Sequence, residues 1–174
     1  GFYIPTLCEM DDIDHTPGTC RVCLVETRVA GQERPLVLTA CNTPMQAGME
    51  VRTRTPQVRE MQRLQVELLM ADHNHECATC IRHGNCELQD VAQFVGLRTN
   101  RFADPTLVAE RPIDTSSPAL IRDMTKCIRC QRCVAICRWG QGVDALAIVG
   151  TQHGTAVGLR EGKSQKESSC VTCG

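Results

Sequence analysis

The stretch Cys127-Ile-Arg-Cys130-Gln-Arg-Cys133-Val-Ala-Ile-Cys137 contains four cysteines with gaps of two, two and three residues. In two-cluster ferredoxins the first three cysteines of such a run bind one 4Fe–4S cluster, and the fourth binds a second cluster. A single tetrahedral zinc ion does not readily use all four, because zinc ribbons pair two C-x-x-C knuckles across a long loop. The run therefore predicts two neighbouring cluster sites, with Cys137 on the second.

Nine further cysteines fall into three groups: Cys8, Cys20, Cys23 and Cys41; Cys77, Cys80 and Cys86; Cys170 and Cys173. The first group supplies four thiolates, which suits the two irons of a 2Fe–2S cluster. Plant-type ferredoxins use C-x4-C-x2-C and a distant cysteine, so the longer first gap here indicates a different branch of that architecture. A zinc site is the alternative for this group. The last pair is predicted to join Cys137 on one 4Fe–4S cluster.

The second group has only three cysteines, one ligand fewer than a 4Fe–4S cluster needs, and three histidines lie near it. His73 precedes Cys77 by four positions, His75 precedes it by two, and His83 lies within the group. The residues alone leave the choice among the three open. A neutral imidazole in place of a thiolate removes one negative charge from the ligands and favours the reduced cluster, as in Rieske centres.

Composition and charge narrow the class of protein. Thirteen of the 174 residues are cysteine and only five are aromatic, so metal ligation must supply part of the folding free energy. A disulfide framework is the alternative, but the odd cysteine count, the chain length and the close C-x-x-C pairs oppose it. The formal net charge of −1 creates no field that favours nucleic acid. The chain contains no apolar stretch of about 18 residues and no secretory signal.

Periodicity and turn residues predict an α+β fold with three cluster-binding domains. They are a 2Fe–2S domain, a helical 4Fe–4S domain and a ferredoxin-like 4Fe–4S domain, over residues 1–54, 55–98 and 119–174. Residues 99–118, with several prolines and serines, are predicted to be an irregular connector.

Within these domains the sequence predicts five strands, two longer helices and one cluster-binding loop. The strands are predicted near 23–29, 36–40, 49–53, 145–149 and 155–159, with a hairpin turn over 30–33. A helix capped by Thr55-Pro56 runs to about Ala71 with an apolar stripe of Val58, Met61, Leu64, Leu68 and Leu69, and a second helix covers 87–95. A shorter helix continues through Cys137. The polar loop over 9–19, with Pro17-Gly18, brings backbone amides close to a cluster.

Four stretches, taken in order, carry a family resemblance. They are Gly-Phe-Tyr-Ile-Pro-Thr-Leu-Cys8, Gly18-Thr-Cys-Arg-Val-Cys23, His73-x3-Cys77-x2-Cys80-x5-Cys86 and Lys126-Cys-Ile-Arg-Cys-Gln-Arg-Cys133. Together they resemble the N-terminal electron-transfer region of iron-only hydrogenases. Similar modules occur in the large iron–sulfur subunit of respiratory NADH dehydrogenase, in NAD-linked formate dehydrogenases and in diaphorase subunits of NAD-reducing hydrogenases. The stretches Gln141-Gly-Val-Asp-Ala-Leu and Glu167-Ser-Ser-Cys-Val-Thr-Cys-Gly174 look most like the iron-only hydrogenase branch.

The resemblance implies a β-grasp 2Fe–2S domain, a 4Fe–4S domain in which His73 is the fourth ligand, and a two-cluster ferredoxin-like domain. It implies one-electron transfer with no catalytic site in this segment of an oxidoreductase. The implied partners are a downstream hydrogenase or dehydrogenase domain, an NADH-oxidising flavoprotein subunit or a ferredoxin, in the cytoplasm or peripheral to a membrane complex. Iron-only hydrogenase is the main interpretation. NADH dehydrogenase, formate dehydrogenase or a hydrogenase diaphorase is the alternative, and a zinc-binding interaction module is the alternative of another class.

The ligand count predicts further sequence beyond both ends. Thirteen cysteines and His73 make 14 ligands, whereas one 2Fe–2S and three 4Fe–4S clusters need about 16. We therefore expect two to three 4Fe–4S clusters here, with the missing ligands in a continuation after Gly174. The opening at Gly1 without methionine likewise predicts that the first domain is incomplete. Arg138 replaces the proline that usually follows such a cysteine run, which removes no ligand.

Overall fold

The computed structural model describes residues 2–13, 15–151 and 154–173. Gly1 and Gly174 at the predicted domain limits, and Asp14 in the predicted loop over 9–19, lie outside these residues. The elements are β1 (Leu24–Arg28), β2 (Leu36–Thr39), β3 (Glu50–Arg52), α1 (Pro56–Leu69), α2 (Glu87–Phe94), α3 (Pro105–Ala109), β4 (Ile113–Asp114), β5 (Arg122–Asp123), α4 (Arg132–Ala135), β6 (Leu146–Val149) and β7 (Ala156–Leu159). This mixture of short helices and strands confirms the α+β class.

All strand pairs are antiparallel. β1 is the central strand between β2 and β3, with Val25 opposite Leu38 and Thr27 opposite Val51. The predicted turn between β1 and β2 is confirmed, because the Gln32 amide donates to the Val29 carbonyl at 3.0 Å. Two further two-stranded sheets, β4–β5 and β6–β7, flank the 127–137 cysteine run in sequence.

Helix α1 begins as predicted but buries only part of the predicted apolar stripe. The Thr55 side chain accepts a hydrogen bond from the Val58 amide at 3.3 Å, and Pro56 occupies the first helical position. The buried residues are Val58, Gln62, Val66 and Glu67, whereas Leu68 of the predicted apolar stripe is 43% exposed. The prediction missed the burial of Gln62 because this side chain is polar. Its amide donates to the Leu24 carbonyl at 2.9 Å and connects α1 to β1.

The main apolar core contains cysteines from three of the four groups. Its buried members are Leu7, Cys8, Cys20, Val22, Val66, Leu88 and Val91, with Cys86 and Cys130 packed at its margin. The core therefore crosses the predicted boundary between residues 54 and 55. A second, smaller core joins Cys137, Ala145 and Leu159, with Cys170 packed against it.

The prediction of an irregular segment over 99–118 is wrong in two places. Helix α3 begins at Pro105, where the Asp104 carboxylate caps it by accepting from the Thr106 amide at 2.9 Å. Strand β4 follows and pairs with β5. Asp-Pro gives the same start signal here that Thr-Pro gives at α1.

No helix in the described part of the chain has the length and apolar character needed to cross a membrane.

The contact between Gln62 and β1 predicts a stability effect. Gln62→Ala should lower the free energy of unfolding by about 1–3 kcal/mol, because it removes a hydrogen bond made by a buried side chain. Gln57→Ala, at an exposed position of the same helix, should change the unfolding free energy by less than about 0.5 kcal/mol. Urea unfolding followed by circular dichroism under anaerobic conditions measures both. Equal midpoints for the two variants would contradict the assignment.

Candidate iron–sulfur sites

The first cysteine group forms two pairs of adjacent thiols. Cys8, Cys20 and Cys23 are each 2% exposed, and the fourth member, Cys41, is half-buried. The sulfur atoms of Cys23 and Cys41 are 3.3 Å apart. The thiols of Cys8 and Cys20 are also hydrogen-bonded to each other, so the four residues that the sequence assigned to a 2Fe–2S site form two pairs.

Ionisation of these thiols depends on their pairing. A hydrogen bond from the Cys20 thiol lowers the pKa of Cys8 to about 4 and raises the pKa of Cys20. Burial raises the pKa of Cys41 to about 12, and the hydrogen bond with Cys23 acts in the same direction. The protein without metal therefore keeps at least part of each pair protonated near neutral pH, and metal binding must displace those protons.

The backbone of the cysteine motifs contains four of the five non-glycine residues with positive φ in the described ranges. Arg21, Arg129, Gln131 and Thr172 lie between cysteines, and Asp144 precedes Ala145, with φ from 51° to 62°. Backbone amides point at sulfur in these regions: Gly18 at Cys8 (3.4 Å), Arg129 at Cys127 (3.3 Å) and Ala145 at Cys137 (3.1 Å). Amides grouped in this way stabilise anionic ligands. The Gly18 contact places one amide of the predicted 9–19 loop at a cysteine sulfur.

The second group lines a cavity of about 290 Å³ between the end of α1 and the start of α2. Its walls include His73, Cys77, Cys80, His83 and Cys86. The structure therefore brings all four predicted ligands to one cavity.

The cavity excludes one of the three candidate histidines. His75 does not line this cavity, whereas His73 and His83 do. The Nε2 atom of His75 is 2.8 Å from the Met70 carbonyl oxygen. His83 is exposed, whereas His73 is half-buried and its buried Nδ1 has no hydrogen-bond partner. Burial, reinforced by nearby positive charge, lowers the pKa of His73 to about 4. Its imidazole is therefore neutral at neutral pH, which is the form that binds a metal.

The third and fourth groups share a larger cavity of about 430 Å³. Its walls include Cys127, Cys133, Cys137, Cys170 and Cys173, with apolar side chains between them. Cys130, predicted to act with Cys127 and Cys133, lines the neighbouring cleft together with Cys8. The Thr19 hydroxyl donates to the Cys130 carbonyl at 2.9 Å, so the first and third ligand loops are in direct contact.

A buried ion-pair network, which the sequence analysis missed, lies between the second and third groups. The Asp72 carboxylate accepts from Arg111 and from Arg129, the latter at 2.5 Å. Burial alone would raise the pKa of Asp72, but the hydrogen bonds from both guanidinium groups outweigh it and hold the pKa below its usual value. Two features of the sequence could have indicated this network: an acidic residue directly before His73, and an arginine within the cysteine run.

The donor chemistry of these sites fits iron–sulfur clusters. Within residues 2–13, 15–151 and 154–173, no three His, Cys, Asp or Glu side chains converge closely enough to hold one metal ion. The thiols instead form pairs or line cavities with apolar walls. Thiolates, a neutral imidazole and surrounding amide donors are the ligand environment that such clusters use.

Two protein-family models match the chain at these positions. Residues 1–56 match the 2Fe-2S iron-sulfur cluster binding domain, and residues 62–101 match the NADH-ubiquinone oxidoreductase-G iron-sulfur binding region. The chain therefore matches a 2Fe–2S domain at the first cysteine group and an iron–sulfur binding region at the second. Its cofactors are 2Fe–2S and 4Fe–4S clusters, as the cysteine spacing predicted.

Particular relatives resemble the chain over most of its length. The G 2 subunit of NADH-quinone oxidoreductase from Rhizobium meliloti is 37% identical over 174 residues, which is 100% of this chain and 20% of the relative. The gamma subunit of NAD-reducing hydrogenase HoxS of Cupriavidus necator is 38% identical over 138 residues, 79% of this chain and 55% of the relative. The crystal structure of an NAD⁺-reducing [NiFe]-hydrogenase in the H₂-reduced state matches with a TM-score of 0.77 and 31% identity, covering 91% of this chain and 63% of the other.

Serine substitutions test the first group. Cys8→Ser, Cys20→Ser, Cys23→Ser or Cys41→Ser should each abolish the EPR signal of the reduced 2Fe–2S cluster and leave the 4Fe–4S signals. Cys77→Ser is the matched control, because Cys77 lines the separate cavity beside His73. It should remove one 4Fe–4S signal only. Survival of the 2Fe–2S signal in any first-group variant would exclude that residue as a ligand.

Cysteine substitutions test the choice of histidine. His73→Cys should retain a 4Fe–4S cluster and lower its reduction potential, because a thiolate adds negative charge next to the iron. His75→Cys should leave the potential unchanged, since the His75 ring lies outside the cavity. Redox titration monitored by EPR measures the potentials. A shift in His83→Cys without one in His73→Cys would assign the ligand to His83.

Proposed function

We propose that this chain is an electron-transfer module of a multi-subunit enzyme of the NADH-quinone oxidoreductase or NAD-reducing hydrogenase type. Cys8, Cys20, Cys23 and Cys41 hold a 2Fe–2S cluster. His73, Cys77, Cys80 and Cys86 hold a 4Fe–4S cluster, and Cys127, Cys130 and Cys133 supply three ligands to another. Cys137, Cys170 and Cys173 supply three ligands to a further 4Fe–4S cluster.

One observation carries this proposal: ligand residues from three groups pack against a single apolar core. Cys8 and Cys20 are buried in it, and Cys86 and Cys130 lie at its margin. Cys130 also shares a cleft of about 230 Å³ with Cys8. When bound at these positions, the clusters supply carriers that each accept and release one electron. Their arrangement around one core supports transfer between neighbouring sites.

The chain's own residues contribute three things to such a module. The buried core keeps water away from the first group. Amides of Gly18, Arg129 and Ala145 donate to ligand sulfur atoms. Such hydrogen bonds, together with solvent exposure and net charge, tune the reduction potential.

The relatives favour the NAD-linked assignment over iron-only hydrogenase. The relatives described above are a quinone oxidoreductase subunit and two NAD-reducing hydrogenases. Because the chain spans 20% of the first of these relatives, the activity and partners of the whole enzyme belong to this proposal. An NADH-oxidising flavoprotein subunit is the partner it implies.

Metal analysis and redox titration test the proposal. The anaerobically purified protein should be brown and contain about 10 to 14 iron atoms and as many sulfides, from one 2Fe–2S and two or three 4Fe–4S clusters. Dithionite should bleach the visible absorption and produce EPR signals that titrate as one-electron steps. A colourless protein with bound zinc and no acid-labile sulfide would instead support the zinc-binding alternative.

A further inference from the structure

The ion-pair network of Asp72, Arg111 and Arg129, called here the Asp72 triad, is almost fully withdrawn from water. The side chains of Asp72 and Arg111 are 6% and 5% exposed, and that of Arg129 is 25% exposed. One carboxylate oxygen, Oδ2, accepts from both guanidinium groups. The triad therefore places two positive charges and one negative charge in a region of low dielectric.

Each member of the triad is connected to a ligand segment. Asp72 immediately precedes His73. Arg129 lies between Cys127 and Cys130, where its own amide donates to the Cys127 sulfur at 3.3 Å. Arg111 donates to the Cys127 carbonyl at 3.2 Å and to the Met124 carbonyl at 3.1 Å. Nearby, the Asn74 amide donates to the Thr125 carbonyl at 2.8 Å. The triad thus joins the loop that carries His73 to the loop that carries Cys127 and Cys130.

Stability alone does not account for such a network. Replacing a buried ion pair or triad with apolar side chains of similar volume is often neutral or stabilising, because the desolvation of the charges offsets their attraction. The net charge of +1, in contrast, acts on any redox group nearby. A positive charge favours the reduced state, which is the more negative one, and a unit charge about 10 Å away at an effective dielectric constant of about 20 changes the equilibrium by roughly tenfold.

We propose that the Asp72 triad is a positioning device that fixes the His73 loop against the Cys127–Cys130 loop and raises the reduction potentials of the clusters that the two loops bind. This inference rests on the proposed function. Asp72, Arg111 and Arg129 are positioning residues, since none of them is a ligand.

Two opposite charge changes within the triad give the sharpest test. Arg129→Gln removes one positive charge and should lower the reduced-to-oxidised ratio at a fixed potential by about tenfold for the clusters beside the triad, equivalent to about 59 mV for one electron. Asp72→Asn removes the negative charge at nearly constant shape and should shift the same ratio in the opposite direction. Arg129→Lys keeps the positive charge, so its reduced-to-oxidised ratio should be closer to that of the wild type than to that of Arg129→Gln. EPR-monitored redox titration of the whole protein measures all three.

Arg101→Gln is the matched control. Arg101 also pairs with a buried carboxylate near the end of α1, Glu67 at 2.6 Å, but the pair lies outside the ligand loops. This variant should leave the potentials of all clusters unchanged.

The possible results test the role of the Asp72 triad and the proposed function of the chain independently. Shifts of opposite sign in Arg129→Gln and Asp72→Asn support the triad, as does loss of only the adjacent 4Fe–4S signals with rescue by Arg129→Lys. Three results would overturn the triad's role: unchanged potentials, shifts of the same sign, or loss of every signal including 2Fe–2S. None of them would contradict the proposed function, because the wild-type protein would still contain the clusters. A wild-type protein without iron–sulfur signals would overturn both.

Discussion

Anionic sulfur must be surrounded by hydrogen-bond donors before iron can be held in a folded chain, and the backbone of the cysteine motifs meets this requirement. Arg21, Arg129, Gln131 and Thr172 adopt left-handed conformations between cysteines. The amides of Gly18, Arg129 and Ala145 donate to cysteine sulfur atoms. Each such conformation at a non-glycine residue costs about 1–3 kcal/mol. Ligation offsets these costs, because cluster-binding free energy is also folding free energy.

The same constraint explains why the apolar core is small and contains cysteine. Cys8 and Cys20 are buried together with Val22 and Val66, so the first ligand loop is part of the core that packs against α1. A chain with five aromatic residues has few large side chains for an independent core. The ligand loops and the helices therefore depend on each other for their positions.

Local signals were sufficient for most elements and for the grouping of the cysteines. Thr55-Pro56 marks a helix start by capping chemistry that acts within four residues, and the β-prone run near 23–29 with the turn over 30–33 marks β1. Asp104-Pro105 carried the same start signal and was overlooked because prolines and serines surround it. Gln62 could not be recognised as buried, since its partner is the Leu24 carbonyl, 38 residues away. The Asp72 triad was hidden for the same reason: its members are separated by 39 and 57 residues.

Two features of the chain act in the same direction on the cluster beside His73. In the proposed ligand set, the neutral imidazole of His73 replaces one thiolate, which removes a negative charge from the ligands, and burial lowers the pKa of that imidazole. The Asp72 triad adds a net positive charge one residue away. Both changes favour the reduced state relative to a 4Fe–4S cluster with four thiolates in neutral surroundings. With the clusters placed as proposed, the cluster beside His73 is favoured as the site of an added electron. The residues responsible have ordinary chemistry, but contacts far apart in sequence set their positions.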